Sequence, residues 1–471
     1  MFHMTTPATA KKLLLCALFC LIGCAGFAQT FTVLHHFTTN YDGGLPLSGL
    51  IAEGNTLYGT TRLSGPSFGG TIYKVNLDGS GYTVLHFFDI TNGGSPEGGL
   101  VLNNGTLYGT TPYAGTNLNG MIFKIATDGT GFSMLTNLPN GSLGSWPRSS
   151  LVYAGEKLYG CMYSGGGLGW GGLFQLNTDG SGYTLFKTFS FSGSDGNSPI
   201  GDLILDGETF YGTTSHGGGS GSIGTVFKVQ RDGTGFSTLF RFSLGGSIQP
   251  LGKLLLSDGW LYGTLDTGGG ANGAGAVFKM TAGGSNFVAL KTFFTIGGPD
   301  GSFPHSGVVK KGQMLFGTTN GSGSGDDQGT IFVVRTDGSG FAVLKHFDSV
   351  STNEVGVRVN SDGMQPEGNL LLAGNALYGV TSKGGLFGQG TIFSYDLTPQ
   401  IQMDSFGIQS NGFGFKITAV PGTTVVVETC ELASGSNWGA IQTNVAGVDP
   451  ISFNDSNSSN FVSRYYRLRM Q

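Results

Sequence analysis

Seven times along this chain an aromatic residue is followed by glycine: Tyr58, Tyr108, Tyr159, Tyr211, Tyr262, Phe316 and Tyr378. Six of the seven follow Leu and five of the glycines precede Thr, so the shared core reads Leu-Tyr-Gly-Thr. The intervals are 50, 51, 52, 51, 54 and 62 residues. A period of this size, carried by β-formers and glycine, marks a radial repeat architecture rather than a string of separate domains. A length of 471 residues would otherwise imply several domains.

Each repeat divides into four apolar segments, A to D. In the second repeat these are Pro96–Leu102, Thr106–Thr111, Met121–Ala126 and Phe132–Leu138. Their lengths and the Asn, Gly and Asp between them predict short strands joined by turns. Segment A is apolar at consecutive positions, as in Leu100-Val101 and Leu254-Leu255, a pattern that fits a strand covered on both faces. The 86 glycines recur in phase with these segments, which places most of them in turns.

The ends of the array are displaced by one segment. A D segment, Phe31–Phe37, comes before any A segment, and the seventh repeat stops after its C segment, Thr391–Asp396. Ring closure by the N-terminal strand explains both ends at once, whereas an open array needs atypical caps. The expectation is all-β: a seven-bladed β-propeller over residues 29–398, closed by its N-terminal strand. A small β-sandwich-like module follows over 399–471, where the period stops and strand-like alternation continues, as in Phe413–Val420 and Thr424–Thr429.

The Leu-Tyr-Gly-Thr-Thr string, the Gly-rich stretch after it, a Gly-Thr-Ile-Phe-Lys-like strand and Asp-Gly-Ser-Gly recur in that order. Over roughly residues 31–397 this closely resembles the Gloeo-Verruco (GloVer) tandem repeat of secreted bacterial proteins; kelch-type propellers are only distantly similar. The resemblance implies an exported, often surface-associated protein with a variable C-terminal region and no established activity. The C-terminal segment is similar, more weakly, to closing modules of other exported proteins.

The first residues point the same way. Lys11 and Lys12 precede an apolar run, Leu13 to Ile22, and Gly26-Phe27-Ala28 offers small residues for cleavage after Ala28. The string Leu21-Ile22-Gly23-Cys24 permits the alternative of a lipidated Cys24. Loss of the two lysines with the leader takes the net charge from −5 to −7. With 11% charged residues and no basic stripe, nucleic acid is not expected as a partner. No later apolar run is long enough to span a bilayer. Cys161 and Cys430 are the cysteines left after processing. Cys161 takes a slot held by Thr60 and Thr110 in sister repeats, which predicts a small buried residue; a Cys161–Cys430 bridge would have to join two domains.

Spacing separates a constant face from a variable one. The A-segment proline precedes the B aromatic by 12 residues in every repeat, and the C and D aromatics lie 9 apart in all six repeats where both follow in sequence. The B-to-C interval is 15 or 16, and D-to-A runs from 14 to 25. In an up-and-down blade all of that variation falls on one face, where binding residues concentrate. The Asp-Gly-Ser/Thr-Gly strings at Asp78, Asp128, Asp179, Asp232 and Asp337 lie on the other face and read as hairpin turns. Each offers a single carboxylate, where calcium wants several oxygens.

Candidate binding residues on the variable face form two groups. Tyr113, Trp146, Tyr163 and Trp170 are aromatic residues in neighbouring repeats, able to stack on sugar faces or to cover loop backbone. Glu97, Arg148, His305 and Glu367 are the ionisable members of the positions that follow the A-segment prolines; the other members are Leu47, Ile200 and Leu251. These should ring the mouth of a central channel, with Arg148 pairing Glu97 as the alternative to ligand binding. No catalytic set emerges: Glu97 and Glu367 lack a defined separation, and His216 and Asp266 sit in adjacent loops without a third partner. His35, His36, His86 and His346 are expected as strand surface residues rather than metal ligands. The expectation is an exported, monomeric, non-catalytic binding or adhesion protein for polysaccharide or a cell-surface protein, with no cofactor. A polysaccharide-active hydrolase or lyase, and a structural envelope component, are the alternatives.

Overall fold

A computed structural model of the chain describes residues 30–470 except 39–40, 64, 90–91, 114–118, 139–143, 192, 220–221, 244–248, 269–272, 294–297, 322–327, 402–404, 406, 410–411, 431–437, 448 and 461–463. The leader signals, including Lys11, Lys12, Cys24 and Ala28, lie outside the described residues. The fold is all-β, and each repeat forms one four-stranded antiparallel sheet. Sheet I holds Ile51–Glu53, Thr56–Thr61, Thr71–Asn76 and Thr83–Phe87. Sheets II to VI follow in the same order, with B strands Thr106–Thr111, Lys157–Met162, Thr209–Thr214, Trp260–Leu265 and Met314–Thr319. Sheet VII takes Met364–Ala373, Ala376–Lys383 and Thr391–Asp396 from the last repeat. Its fourth strand is Phe31–His36, from the opposite end of the repeat array.

The register of that strand matches its counterparts. Phe31 faces Tyr395 and Val33 faces Phe393, and the pairing shifts before His35 faces Ile392. The same irregularity separates Ile72 from Tyr73 in sheet I and Ile122 from Phe123 in sheet II. Consecutive sheets share apolar clusters. Tyr58 and Phe88, which follows the D strand of sheet I, pack with Leu100, Leu107 and Phe123 of sheet II, Tyr108 with Leu151, Leu158 and Phe174 of sheet III, and Phe316 with Leu370, Leu377 and Phe393 of sheet VII. The cluster at Tyr378 joins sheet VII, through Val380 and Ile392, to Leu50, Leu57 and Tyr73 of sheet I.

The recurring Tyr-Gly has two separate jobs. The aromatic ring reaches across to the next sheet. The glycine makes room for the C-strand ring of its own sheet: a Cβ at Gly59, Gly109, Gly160, Gly212, Gly263, Gly317 or Gly379 would lie under 3.0 Å from the ring of Tyr73, Phe123, Phe174, Phe227, Phe278, Phe332 or Phe393. The close approach is therefore by an aromatic side chain, and not by backbone as glycine in a strand often implies. Six of these rings are Phe. Tyr73 carries a hydroxyl that is fully buried with no hydrogen-bond partner among the described residues, and burial pushes its pKa well up. Tyr73→Phe is expected to stabilise the protein by about 1 kcal/mol, because an unsatisfied buried hydroxyl costs roughly 1–3 kcal/mol. A denaturation midpoint that falls in this variant would contradict the reading.

Inner strands are shorter than their apolar pattern predicts. Regular pairing in sheets I to VI covers only three residues, such as Val101–Asn103, because the stretch after each proline runs free of the ladder. The Asp-Gly-Ser/Thr-Gly strings are tight turns in which the Asp carboxylate accepts from the backbone N–H and hydroxyl two residues on. Asp78 Oδ1 lies 2.9 Å from Ser80 N and 2.7 Å from Ser80 Oγ. The longest D-to-A connection carries a small hairpin, Ser351–Thr352 against Arg358–Val359.

Cys161 and Cys430 are both free and buried. The Cys161 thiol points at the Gly201 carbonyl of the next sheet at 3.7 Å, and burial pushes its pKa up to about 12. In sister repeats Thr110 and Thr264 make the same contact, to the Ser149 and Ser306 carbonyls.

After the repeats, two further sheets share a core. One contains Gly412–Thr418 and Ile451–Asp455; the other contains Gly439–Val445, Thr424–Cys430 and Tyr465–Met470. Phe413, Phe415, Ile417, Val425, Val427 and Phe453 fill the space between them. This unit contacts the A–B and C–D turn side of sheet VI: Val420 joins the cluster of Met314 and Leu397, and Arg335 Nη1 donates to the Gly422 carbonyl at 3.0 Å. Among the described residues no helix is long and apolar enough to cross a membrane.

Candidate functional site

The D-to-A connections repeat one construction. The residue before the A-segment proline has a left-handed backbone at Leu45, Ser95, Trp146, Ser198, Phe303 and Gln365, with φ between 50° and 59°. Such values are uncommon for any residue but glycine. Backbone hydrogen bonds hold these residues in place, two in most repeats and one at Ser95, where Pro112 cannot donate. Trp146 N–H donates to the Asn119 carbonyl of the preceding sheet, and the Trp146 carbonyl accepts from Tyr163 N–H of its own sheet. Leu45 N–H donates to Gln389, which is the same joint between sheets VII and I. The proline then rests on a glycine that opens the C strand of the preceding sheet, as Pro147 does on Gly120 and Pro46 on Gly390.

This joint aims the following residue inward. Leu47, Glu97, Arg148, Ile200, Leu251, His305 and Glu367 all line one cup of about 200 Å³. The sequence-predicted ring of seven is thus brought together in a single cavity. Deeper in the same cup lie Ser150, Asp202, Lys253 and Asn369, two positions further along the inner segments.

The ionisable groups at the mouth are paired. Glu97 sits between two guanidiniums, 3.2 Å from Arg148 Nε and 3.3 Å from Arg62 Nε. Burial pushes its carboxyl up against the pull of both. His305 is held between acids, with Nε2 2.8 Å from Asp266 Oδ1 and Nδ1 3.3 Å from Glu367. Burial alone would lower its pKa; the two carboxylates outweigh that and raise it to about 10. Asn320 Nδ2 donates to Glu367 Oε1 at 2.7 Å. Asp266 therefore has a partner that loop adjacency does not reveal, and it is His305 rather than His216. His216 instead bonds Ser215 at 2.8 Å.

The aromatic group divides. Arg148 Nη2 donates to the Tyr113 hydroxyl at 2.6 Å, and the guanidinium lies 5.1 Å from the Tyr163 ring centre. Trp146 is 6.2 Å from Tyr113 and 6.4 Å from Tyr163, stacked on the latter. Trp146 remains more than a third exposed. Trp170 instead pairs with Phe191, at 4.7 Å. The aromatic and ionic groups of Tyr113, Trp146, Tyr163, Arg148 and Glu97 thus form one continuous patch.

The B–C and D–A connections carry most of the exposed large apolar side chains, including Tyr41, Phe68, Trp146, Leu168, Trp170, Phe191, Val355, Leu386 and Phe387. Among the described residues none lies on an A–B or C–D turn of the repeats.

Two outer-strand histidines are packed between sheets, contrary to their expected surface role. The His35 ring stacks on Tyr82 of sheet I at 3.7 Å, and His86 stacks on Phe132 of sheet II at 3.6 Å. Lys187, Lys291 and Lys345 take the same position and lie over Phe236, Phe341 and Phe31. Each of these lysines also pairs with an acid before the next proline: Asp195, Asp300 and Asp362. His35 pairs likewise with Asp42. The signal for this bracket was present as Asp-Gly four residues before the proline, at Asp42, Asp195, Asp300 and Asp362. Among the described residues no group of three or more His, Cys, Asp or Glu is placed to hold a metal ion.

No curated protein matches the chain. Among solved structures, it is similar to the oligogalacturonate lyase of Vibrio parahaemolyticus, with 11% identity, TM-score 0.50, and coverage of 79% of this chain and 96% of that one. It is also similar to the GH74 enzyme of Niastella koreensis, with 17% identity, TM-score 0.50, and coverage of 89% and 68%. For PorZ, a surface component of the type-IX secretion system of Porphyromonas gingivalis, identity is 12%, TM-score 0.51, and coverage 93% and 60%. At these identities the likeness concerns an all-β, propeller-like fold and nothing of activity. The sequence profile of the Gloeobacter/Verrucomicrobia repeat matches residues 24–171 and 157–359. Matched over more than half its length, the chain belongs to the Gloeobacter/Verrucomicrobia repeat family.

Proposed function

We propose that this chain is an exported, non-catalytic binding protein that takes polysaccharide on the face formed by its B–C and D–A connections. Residues 29–398 form a seven-bladed β-propeller closed by the N-terminal strand, and residues 399–471 form a separate C-terminal module. Closure is supported by the joints between sheets VII and I. They repeat those found elsewhere: the Leu45–Gln389 hydrogen bond, Pro46 on Gly390, and the Tyr378 cluster.

The observation that carries the binding reading is the patch of Tyr113, Trp146 and Tyr163 around Arg148, at the edge of the shared cup. Flat rings with polar edges, beside a fixed guanidinium, suit the alternating apolar faces and hydroxyls of a sugar chain. Glu97 and Glu367 are each held by cations, which favours binding over acid–base chemistry. The contacts of the C-terminal module with the repeats, among the described residues, are on the turn side, opposite the loop face.

Affinity electrophoresis of the full chain in gels containing soluble polysaccharides tests this. At least one polysaccharide should retard the protein, with retardation reduced about tenfold or more in Trp146→Ala. Retardation unchanged by loss of both Trp146 and Trp170 would remove the proposed site. Released oligosaccharide would convert the reading to that of a hydrolase or lyase.

A further inference from the structure

Two positions after the mouth residues the chain carries Gly49, Gly99, Ser150, Asp202, Lys253, Gly307 and Asn369. Three of the four side chains there accept a hydrogen bond from the backbone of the sheet before. Ser150 Oγ accepts from Gly99 N–H at 2.9 Å, Asp202 Oδ1 from Ser150 N–H at 2.6 Å, and Asn369 Oδ1 from Gly307 N–H at 2.8 Å. In sheet V this position is Lys253, which has no acceptor atom to offer. Lys253 is exposed within the cup, and among the described residues no carboxylate lies within ion-pair distance of it. Every other ionisable side chain lining the cup is engaged. Arg148 is paired with Glu97, and His305 with Asp266 and Glu367. Asp202 is fixed by Ser150 and lies 3.5 Å from Asn369 Nδ2, a contact that crosses the cup from sheet VII to sheet IV.

Among the described residues these features make a polar recess with one uncommitted cation. We propose that Lys253 binds the carboxylate of an acidic sugar, so that the ligand is a uronic-acid polysaccharide. This rests on the polysaccharide reading above. Other sugar rings of the chain lie over the Trp146 patch, and the carboxylate meets the ammonium as a charge-assisted hydrogen bond. A cation placed where Ser150, Asp202 and Asn369 each offer an acceptor, with no ion-pair partner among the described residues, fits a functional departure from a local rule.

The test compares oligomers of β-1,4-linked glucuronate with cello-oligosaccharides of equal length, which share a skeleton and differ in the carboxylate. Calorimetric titration of the full chain should give saturable binding of the acidic oligomer and at least tenfold weaker binding of the neutral one. Lys253→Met should lose about tenfold or more in affinity for the acidic oligomer, while Lys253→Arg keeps most of it. Its melting temperature should match the wild type, because Lys253 holds no partner. Equal affinity for both oligomers, or an unchanged affinity in Lys253→Met, would overturn the proposal. Loss of neutral-glycan binding in Trp146→Ala would in that case still uphold the aromatic site by itself. Glucuronic acid monomer or inorganic phosphate binding as tightly as the oligomer would make the recess a plain anion site, and that too overturns the polysaccharide assignment.

Discussion

Deletion of Phe31–Phe37 is expected to abolish stable folding of the whole repeat array, and not merely to fray one edge. The segment supplies the fourth strand of sheet VII and two successive inter-sheet brackets, Lys345 over Phe31 and His35 on Tyr82. It also supplies Phe37, which is fully buried in the cluster that joins sheets VII and I. Truncation of one buried Phe to Ala costs roughly 3–5 kcal/mol, and total stability of a domain is about 5–15 kcal/mol. Loss of all seven residues exceeds that margin. Circular dichroism and calorimetry of the shortened chain should show no cooperative transition at the wild-type temperature. Phe37→Ala, a milder change, should fold and melt markedly lower.

The second large effect concerns His305. Its imidazolium is the cation between Asp266 and Glu367, so His305→Gln leaves two carboxylates facing one another without it. Removal of one partner from a fully buried ion pair costs roughly 3–5 kcal/mol; His305 keeps some solvent contact, so about 2–3 kcal/mol is expected. A pH dependence accompanies it. The folded-state pKa is raised from 6.5 to about 10. The stability contributed by His305 is therefore fully present below the unfolded value and lost as pH rises through the folded one. Urea denaturation of the wild type should show stability falling between pH 6.5 and 9.5, and His305→Gln should flatten that fall. An equal slope in both proteins would contradict the assignment.

Much of this was legible in the chain. The B and C strands of the second repeat, Thr106–Thr111 and Met121–Ala126, match their sequence segments residue for residue. The seven positions after the prolines converge on one cup because a constant 12-residue spacing to the B aromatic keeps them in phase. What escaped were contacts between sheets. The stacking of His35 on Tyr82 joins residues 47 positions apart in sequence; Asp-Gly before the proline marks the acid of the bracket, but no local pattern announces the ring of the next sheet that covers the strand residue. His305–Asp266 is similar: each residue looks unpartnered until the sheets are set side by side. Lys253 is the converse case. It reads as an ordinary strand lysine until the hydrogen bonds accepted by Ser150, Asp202 and Asn369 show what it fails to do.

Seven sheets arranged so that the last is completed by the first strand is the claim on which the cup and its ligand site depend. Native-state hydrogen exchange of the intact protein tests it most directly. The hydrogen-bonded amides of Phe31–His36 should be protected as strongly as those of Thr391–Asp396, because both would open only when the ring does. Rapid exchange of Phe31–His36 while the central strands stay protected would mean an open array with a loosely docked strand, and would contradict the closed ring.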